Sequence, residues 1–234
     1  MNRNLFPLSK KTLGQAAELI AVLLIGFGIF IYSSTQIFFE NNISPIRQDY
    51  SSFDFYFIVA YEVIAFLLII FILKKRKWTV QDFNLDFRAN MLVIALLLIA
   101  LRFITTSILN YILTSANLFN LELNAPPEIN LNVSMFSVIL MLFVNSFFEE
   151  MILIGYLFKR LEKFHVSIII LFSLLLRVSF HTYQGINEIP RILSLGLVLG
   201  LYYGRYKKLA PVILAHGIGN LFFFLNYEYK WIDF

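Results

Sequence analysis

Seven apolar stretches dominate the chain, at about 15–39, 53–73, 91–115, 134–158, 166–182, 190–204 and 209–227. Crossing a hydrocarbon core of about 30 Å as a helix takes roughly 20 mostly apolar residues, and fewer where neighbours hold a helix short, as the fifth and sixth stretches require. The expected fold is therefore all-α: a polytopic transmembrane helical bundle of about seven helices, or eight if the first or third stretch hides a break. Composition agrees. With 59% hydrophobic residues and a mean hydropathy of +0.75, the chain is far more apolar than a soluble domain, where roughly 45–50% is ordinary.

The first apolar run is too long for a cleavable signal peptide and has no small-residue cleavage site after it, so it is expected to stay as an anchor. Lysine and arginine are retained on the cytoplasmic side of a membrane and so set orientation. Lys10 and Lys11 precede the first stretch, Lys74, Lys75, Arg76, Lys77 and Arg88 follow the second, Lys159, Arg160 and Lys163 follow the fourth, and Arg205, Lys207 and Lys208 follow the sixth. The longest remaining loop, about 116–133, carries Glu122, Glu128 and the pair Pro126-Pro127 but no lysine or arginine. A multi-pass arrangement with a cytoplasmic N-terminus and an outside C-terminus satisfies every loop. The net charge of +4 follows from this topology and from contact with anionic lipid heads, so membrane lipids are expected partners and nucleic acid is not. The small size and lack of extra domains suggest the cytoplasmic membrane of a bacterium.

With zero cysteines, any chemistry has to come from carboxylates, histidines and hydroxyls. A charge at mid-membrane costs about 2.5–3.5 kcal/mol even on lenient scales, so it should face the protein interior and have a partner. The charged or ionisable residues inside the stretches are Glu62, Arg102, Glu149, Glu150, Arg177, His181 and His216. At about 1.5 Å per residue, the first five lie roughly 14–20 Å from the cytoplasmic ends, His181 about 22 Å and His216 about 10 Å. One polar cluster can hold them all. Asn145 stands one turn before Glu149, Arg177 one turn before His181, and His216 one turn before Asn220, so three helices each present a polar pair on one face.

Such a cluster supports hydrolysis. Two adjacent carboxyls in a low-dielectric site do not both ionise easily, and a group that takes a proton from water and returns it suits a general base. A nearby histidine can share that water, while a second histidine and an asparagine amide can donate to the oxyanion of a tetrahedral intermediate. Equally, two histidines and a glutamate are a ligand set for Zn²⁺ with an open position for water. Blander roles are expected elsewhere. Glu62, Arg102 and Arg177 can neutralise one another as a structural network, chiefly Glu62 with Arg102. His165, beside the basic run 159–163, reads as solvated. The 26 Phe and 12 Tyr read mostly as lipid contacts and interfacial belts. Gly196, Gly200 and Gly204, at four-residue steps, read as a close helix-packing seam.

The order of motifs is also informative: "EE" at 149–150 followed by "GY", a short helix ending "RVSFHTYQG", then "LAPVILAHGIGN". This resembles the CPBP family, also called Abi or CAAX-protease-like, of membrane-embedded proteases and bacteriocin-processing or self-immunity proteins. The resemblance divides the chain into N-terminal helices and loops at 1–133 and a catalytic core at 134–227, within one integral membrane domain. It implies an intramembrane endopeptidase of the CAAX prenyl protease 2 type, acting on a peptide or membrane-protein substrate such as a prenylated CAAX tail, a leader peptide or a transmembrane segment. By the same resemblance Glu149 or Glu150 would activate water with His181, and His216 with Asn220 would stabilise the oxyanion or complete a metal site formed with Glu149 and His181. Two positions depart from the family pattern. Its arginine, four residues after the second glutamate of the pair, is Ile154 here, and its phenylalanine four residues before the histidine is Arg177, as in a YHxYQG-like variant of bacterial members. Arg177 or Arg102 is expected to supply the missing charge, with Asn145 in support. The chain has no H-E-x-x-H, G-x-S-x-G or GxGD motif, which excludes the corresponding intramembrane protease classes. The alternatives are a catalytically inactive scaffold or immunity protein that binds a partner, and a proton-coupled transporter, for which no internal repeat is visible.

Overall fold

Each of the seven stretches folds as one long helix in a computed structural model, which describes residues 10–41, 47–116 and 128–229. They are α1 (Lys10–Asn41), α2 (Ser52–Lys75), α3 (Met91–Ser115), α4 (Met135–Arg160), α5 (Val166–His181), α6 (Ile189–Tyr206) and α7 (Ala210–Tyr229). Neither α1 nor α3 is interrupted, so the described residues hold no eighth long helix. The first five are long and apolar enough to span a membrane, and α7 contributes a shorter apolar segment, Ala210–Asn226. The chain is a membrane protein.

Local chemistry sets the helix starts. The Asp54 carboxylate accepts from the Ser51 N–H at 2.7 Å and from its hydroxyl at 2.6 Å, closing the first turn of α2. The Asp82 carboxylate does the same for Thr79 at 2.8 and 2.9 Å, and the Thr79 N–H holds the Asp82 carboxyl below the usual carboxylate range. Ser134 accepts from the Ser137 N–H to start α4. His165 caps α5 at an exposed position, its Nδ1 accepting from the Ser167 N–H at 3.4 Å.

Two short strands were not legible in the sequence. β1 (Arg47–Ser51) and β2 (Glu128–Asn132) pair in parallel, Arg47 opposite Glu128 through Ser51 opposite Asn132. They lead directly into α2 and towards α4, two helices that pack together. The pairing is non-local and its strands are short: β1 has no alternation, and in β2 only Ile129 and Leu131 alternate with polar residues, a signal confined to one short segment. Of the loop expected at about 116–133, the residues Glu122, Pro126 and Pro127 lie outside the described residues.

Helix α4 is the centre of the bundle. It buries 56% of its apolar span, where α1, α2, α3 and α5 bury 17–28%. One side, with Ile152, Leu153, Tyr156 and Leu157, packs on Val22 and Phe27 of α1, Ala65 and Ile69 of α2, and Phe180 of α5. The other side, with Ile154 and Phe158, packs on α3, α5, α6 and α7. Within α4 the segment Met151–Tyr156 is a π-helical turn, a wider coil often found beside functional residues, and it follows Glu150 directly. Helices α5 and α6 meet along a glycine seam: a Cβ on Gly196 would lie 2.7 Å from Leu174, on Gly200 3.2 Å from Ile170, and on Gly204 2.7 Å from Val166. Small residues there let the two backbones approach.

Candidate active site

Glu149 and Glu150 are neighbours on α4 and so point in directions roughly 100° apart. A single guanidinium joins them. Arg177 of α5, fully buried, donates from Nη1 to Glu149 Oε2 at 2.8 Å and from Nη2 to Glu150 Oε1 at 2.7 Å. The planar fork gives each carboxylate its own N–H in a fixed geometry, which a lysine's compact, rotatable ammonium does not reproduce. Arg177 also packs beside Gly196, where a Cβ would come within 3.3 Å of its Nε. Ile154, by contrast, is sealed in the apolar core. The positive charge at the glutamate pair therefore comes from α5.

The two glutamates have different surroundings. Glu149 lines a cavity of about 800 Å³, together with Arg177, His181, His216, Asn145 and Asn220. Its Oε1 is 3.8 Å from His181 Nε2, too long for a direct hydrogen bond and suited to one water touching both groups. Glu150 is fully enclosed, and its Oε1 is 2.7 Å from Nδ1 of His216. With Nδ1 bound to a carboxylate, the His216 ring is fixed and Nε2 is the nitrogen left for other work. The buried Oε2 of Glu150 and Nδ1 of His181 have no hydrogen-bond partner among the described residues.

Helix α1 places His181. The Ser34 hydroxyl accepts from the Tyr183 N–H at 2.9 Å and lies 2.9 Å from the Thr182 hydroxyl, pinning the turn that ends α5. Stacking of Phe27 on Phe180, 4.7 Å between ring centroids, holds the adjacent residue.

The sequence expectation of a Glu62–Arg102 ion pair is corrected. Glu62 accepts from Asn145 Nδ2 at 2.7 Å, so Asn145 binds Glu62. Arg102 donates to Asn220 Oδ1 at 3.5 Å and lies over the Phe223 ring at 4.7 Å. The reason is packing: α2 lies against α4, whereas α3 lies against α6 and α7. Both residues still line the cavity. The cavity also recruits Glu188, Arg191, Ser34 and Phe223, which sequence reasoning missed. The three-residue spacing of Glu188 and Arg191, beside Pro190 at the start of α6, was the available signal.

The metal expectation changes as well. The residues whose ligand atoms lie within 4.8 Å of one another are Glu149, Glu150 and His216, with Glu150 in place of His181. By donor type they can hold a metal ion. As arranged, however, one oxygen of each carboxylate accepts from Arg177, and a cation among them would face that guanidinium. The arrangement fits Arg177 as the resident positive charge and does not fit Zn²⁺ without its withdrawal.

Residues 131–222 match the family described as Rce1-like, Type II CAAX prenyl endopeptidase Rce1-like. The matched segment contains every member of the glutamate–arginine–histidine cluster and Asn220, and leaves out Glu62 and Arg102. No curated protein and no solved structure matches the chain.

Proposed function

We propose that a chain with an Rce1-like segment enclosing a buried, cavity-facing carboxylate acts as an intramembrane endopeptidase that cuts its substrate with water activated by Glu149. The observation that carries this reading is the division of labour in the pair: Glu149 reaches the cavity with His181 3.8 Å away, while Glu150 is enclosed and tethers His216.

In this reading a water held between Glu149 and His181 gives a proton to Glu149 as its oxygen adds to the scissile carbonyl carbon. The oxyanion that forms is met by the Asn220 amide N–H and by His216 from Nε2 when its ring is an imidazolium. Asn220 Oδ1 faces Arg102, which turns Nδ2 away from that arginine. Preorganised donors of this kind contribute about 10²–10³ in rate each. Glu149 then returns the proton to the leaving amine as the C–N bond breaks. Arg177 and Glu150 touch no reacting atom: Arg177 fixes both carboxylates, and Glu150 fixes the His216 ring. No metal enters these steps.

The finer assignments belong to the same proposal: a catalytic core over 134–227, a peptide or membrane-protein substrate, a bacterial cytoplasmic membrane with the N-terminus inside, and a role in peptide processing or bacteriocin self-immunity. The rival reading, an inactive scaffold, draws on Ile154 at the family's arginine position; the fork of Arg177 weakens it by supplying that charge. The test compares peptide termini from cells carrying the wild-type chain and Glu149→Gln at equal membrane abundance. Specific termini that vanish in the variant support the protease and name its substrate class. Identical termini across growth conditions, with His181→Ala equally silent, would leave the scaffold.

A further inference from the structure

Two asparagines line the cavity, Asn145 of α4 and Asn220 of α7, on helices that pack together. Asn145 stands one turn before Glu149, and Asn220 one turn after His216. Each amide has a buried ionisable group behind it, on a helix outside the family match. Arg102 of α3 donates to Asn220 Oδ1 at 3.5 Å, whereas Glu62 of α2 accepts from Asn145 Nδ2 at 2.7 Å. A guanidinium has only donors to offer, and the Glu62 oxygen that meets Asn145 is an acceptor, so the two amides are turned in opposite senses. The Asn145 amide also interacts with the Glu149 carboxylate, so both acidic neighbours hold it the same way round. Asn220 is left with N–H groups for the cavity. Asn145 is left with Oδ1, which accepts from no described residue and is not enclosed.

An amide oxygen open to the cavity beside the base calls for a donor, and a peptide substrate carries an N–H on every residue but proline. Main-chain hydrogen bonds are what hold an extended peptide whatever its side chains, and they need an acceptor as well as a donor on the protein. Asn220 supplies the donor from α7, and Asn145 supplies the acceptor from α4. One helical turn, about 5.4 Å, separates Asn145 from Glu149, and an extended peptide covers roughly 3.3 Å per residue. An N–H held at Asn145 therefore belongs to a residue within about two of the bond that is attacked. Glu62 is only 1% exposed and its Oε2 is buried, so its reach into the cavity is through Asn145.

We propose that Asn145 is a further substrate-binding residue, its Oδ1 accepting a backbone N–H of the peptide beside the scissile bond, and that Glu62 is the positioning residue that aims it. This rests on the protease reading above and gives a buried acid of α2, outside the matched segment, a part in that reading.

The test uses the full-length protein in lipid nanodiscs. A randomised apolar decapeptide pool, made with and without an S-farnesyl cysteine, is screened by mass spectrometry for the peptide cut fastest. That peptide is then remade as a series in which an ester oxygen replaces one backbone N–H at a time on either side of the cut. The expected result is that one ester slows wild type about threefold to tenfold, as for the loss of one hydrogen bond. Asn145→Ala slows the parent peptide by a similar factor and is insensitive to that same ester. Glu62→Ala reproduces the insensitivity although it touches no substrate, and Glu62→Gln, whose amide oxygen still accepts from Asn145 Nδ2, restores it. A wild type that no ester slows overturns the proposal. So does an Asn145→Ala variant that slows parent and esters by one common factor, which would make Asn145 a support for Glu149 alone. Glu62→Ala that keeps the full ester effect overturns the positioning role. If the alanine variants do not fold, Asn145→Ser, which withdraws the oxygen by one bond, is put through the same series, and an unaltered ester effect overturns the proposal. If no peptide of the pool is cut above the Glu149→Gln background, the protease reading fails and this inference falls with it.

Discussion

Among the described residues two carboxylate–guanidinium clusters have buried acids, and they differ in what remains unsatisfied. Near the start of α1, Glu18 accepts from Tyr156 at 3.1 Å and pairs with Arg160, with Arg76 3.8 Å from its other oxygen. Arg160 also lies over Trp78. In that cluster one acid meets two guanidiniums and a phenol, and none of these residues lines the 800 Å³ cavity. At the centre of α4, two acids share one guanidinium, a carboxylate oxygen and an imidazole nitrogen are left over, and the group opens on about 800 Å³ of space. Burial of charge is common to both. Only the second reaches the 800 Å³ cavity, through Glu149 and His181, whose Oε1 and Nε2 stand 3.8 Å apart, and those two atoms are what water can use.

The sharpest way to break the comparison is to remove the arginine from each cluster. Arg177→Met leaves two buried carboxylates without their cation. It is expected to lower stability by about 3–5 kcal/mol and to abolish activity. Arg160→Met leaves Glu18 with Arg76 and Tyr156, so it is expected to lower the melting temperature less and to keep full turnover per folded molecule. Thermal melts in detergent, paired with turnover normalised to folded protein, check both. Equal loss of turnover in the two variants would erase the distinction. Arg177→Lys tests the fork itself: a compact ammonium lacks the rigid, spread N–H pair that fixes both acids, and activity should stay low although the charge is kept.

Next in size are the carboxylates. Glu149→Gln keeps the shape and removes the base, and a fall in kcat of about 10²–10⁴ is expected with little change in melting. Glu18→Gln should do the reverse, a lower melting temperature with kcat unchanged. Should Glu150→Gln reduce kcat as far as Glu149→Gln while the melt is unaltered, the enclosed glutamate would be the better candidate for the base.

What the sequence made legible follows from which costs are local. All seven helices were readable because apolar length is a property of each segment alone. Membership of the central cluster was readable too, since each mid-span charge is expensive and depth can be counted along a helix. Partners were not readable, because they depend on which helices pack together: Glu62 and Arg102 reach similar depth, yet α2 faces α4 while α3 faces α6 and α7. The choice between Glu149 and Glu150 was equally hidden, since adjacent residues on a helix differ only in azimuth. Glu18 was missed because it stands near the N-terminal end of its stretch, where a carboxylate reads as solvated. Its partners Tyr156 and Arg160 lie 138 and 142 residues away. The parallel pairing of β1 with β2 joins Arg47 to Glu128, also far apart in the chain, and the alternation of Ile129 and Leu131 with polar residues in β2 was its one local signal.

Packing around the arginine gives a smaller effect. Gly196→Ala would place a Cβ 2.7 Å from Leu174 and 3.3 Å from Arg177 Nε. Overpacking of this kind costs about 1–3 kcal/mol, and because the same methyl presses on Arg177, a fall in kcat should accompany the fall in stability. Gly204→Ala meets Val166 at the same 2.7 Å, on the same seam but away from the fork. It should lower stability alike and leave kcat in place. A matched fall in kcat for both would mean that α5–α6 spacing as a whole, and not the position of Arg177, governs the site.

The smallest change addresses the quieter cluster. Tyr156→Phe removes one hydroxyl that donates to Glu18 in a fully buried position. Glu18 retains Arg160 and Arg76, so the bond to Glu18 and the hydroxyl's contact with Arg160 are lost, and the expected cost is about 1 kcal/mol with activity unchanged. Tyr156 closes the π-helical turn that begins immediately after Glu150, so the substitution also asks whether the turn is held from its far end. If the hydroxyl only pins α1 to α4, melting shifts slightly and the kinetics do not. A drop in kcat at unchanged KM would instead show that the Glu18 cluster sets the orientation of the glutamate pair through the turn, and the two clusters would be one device.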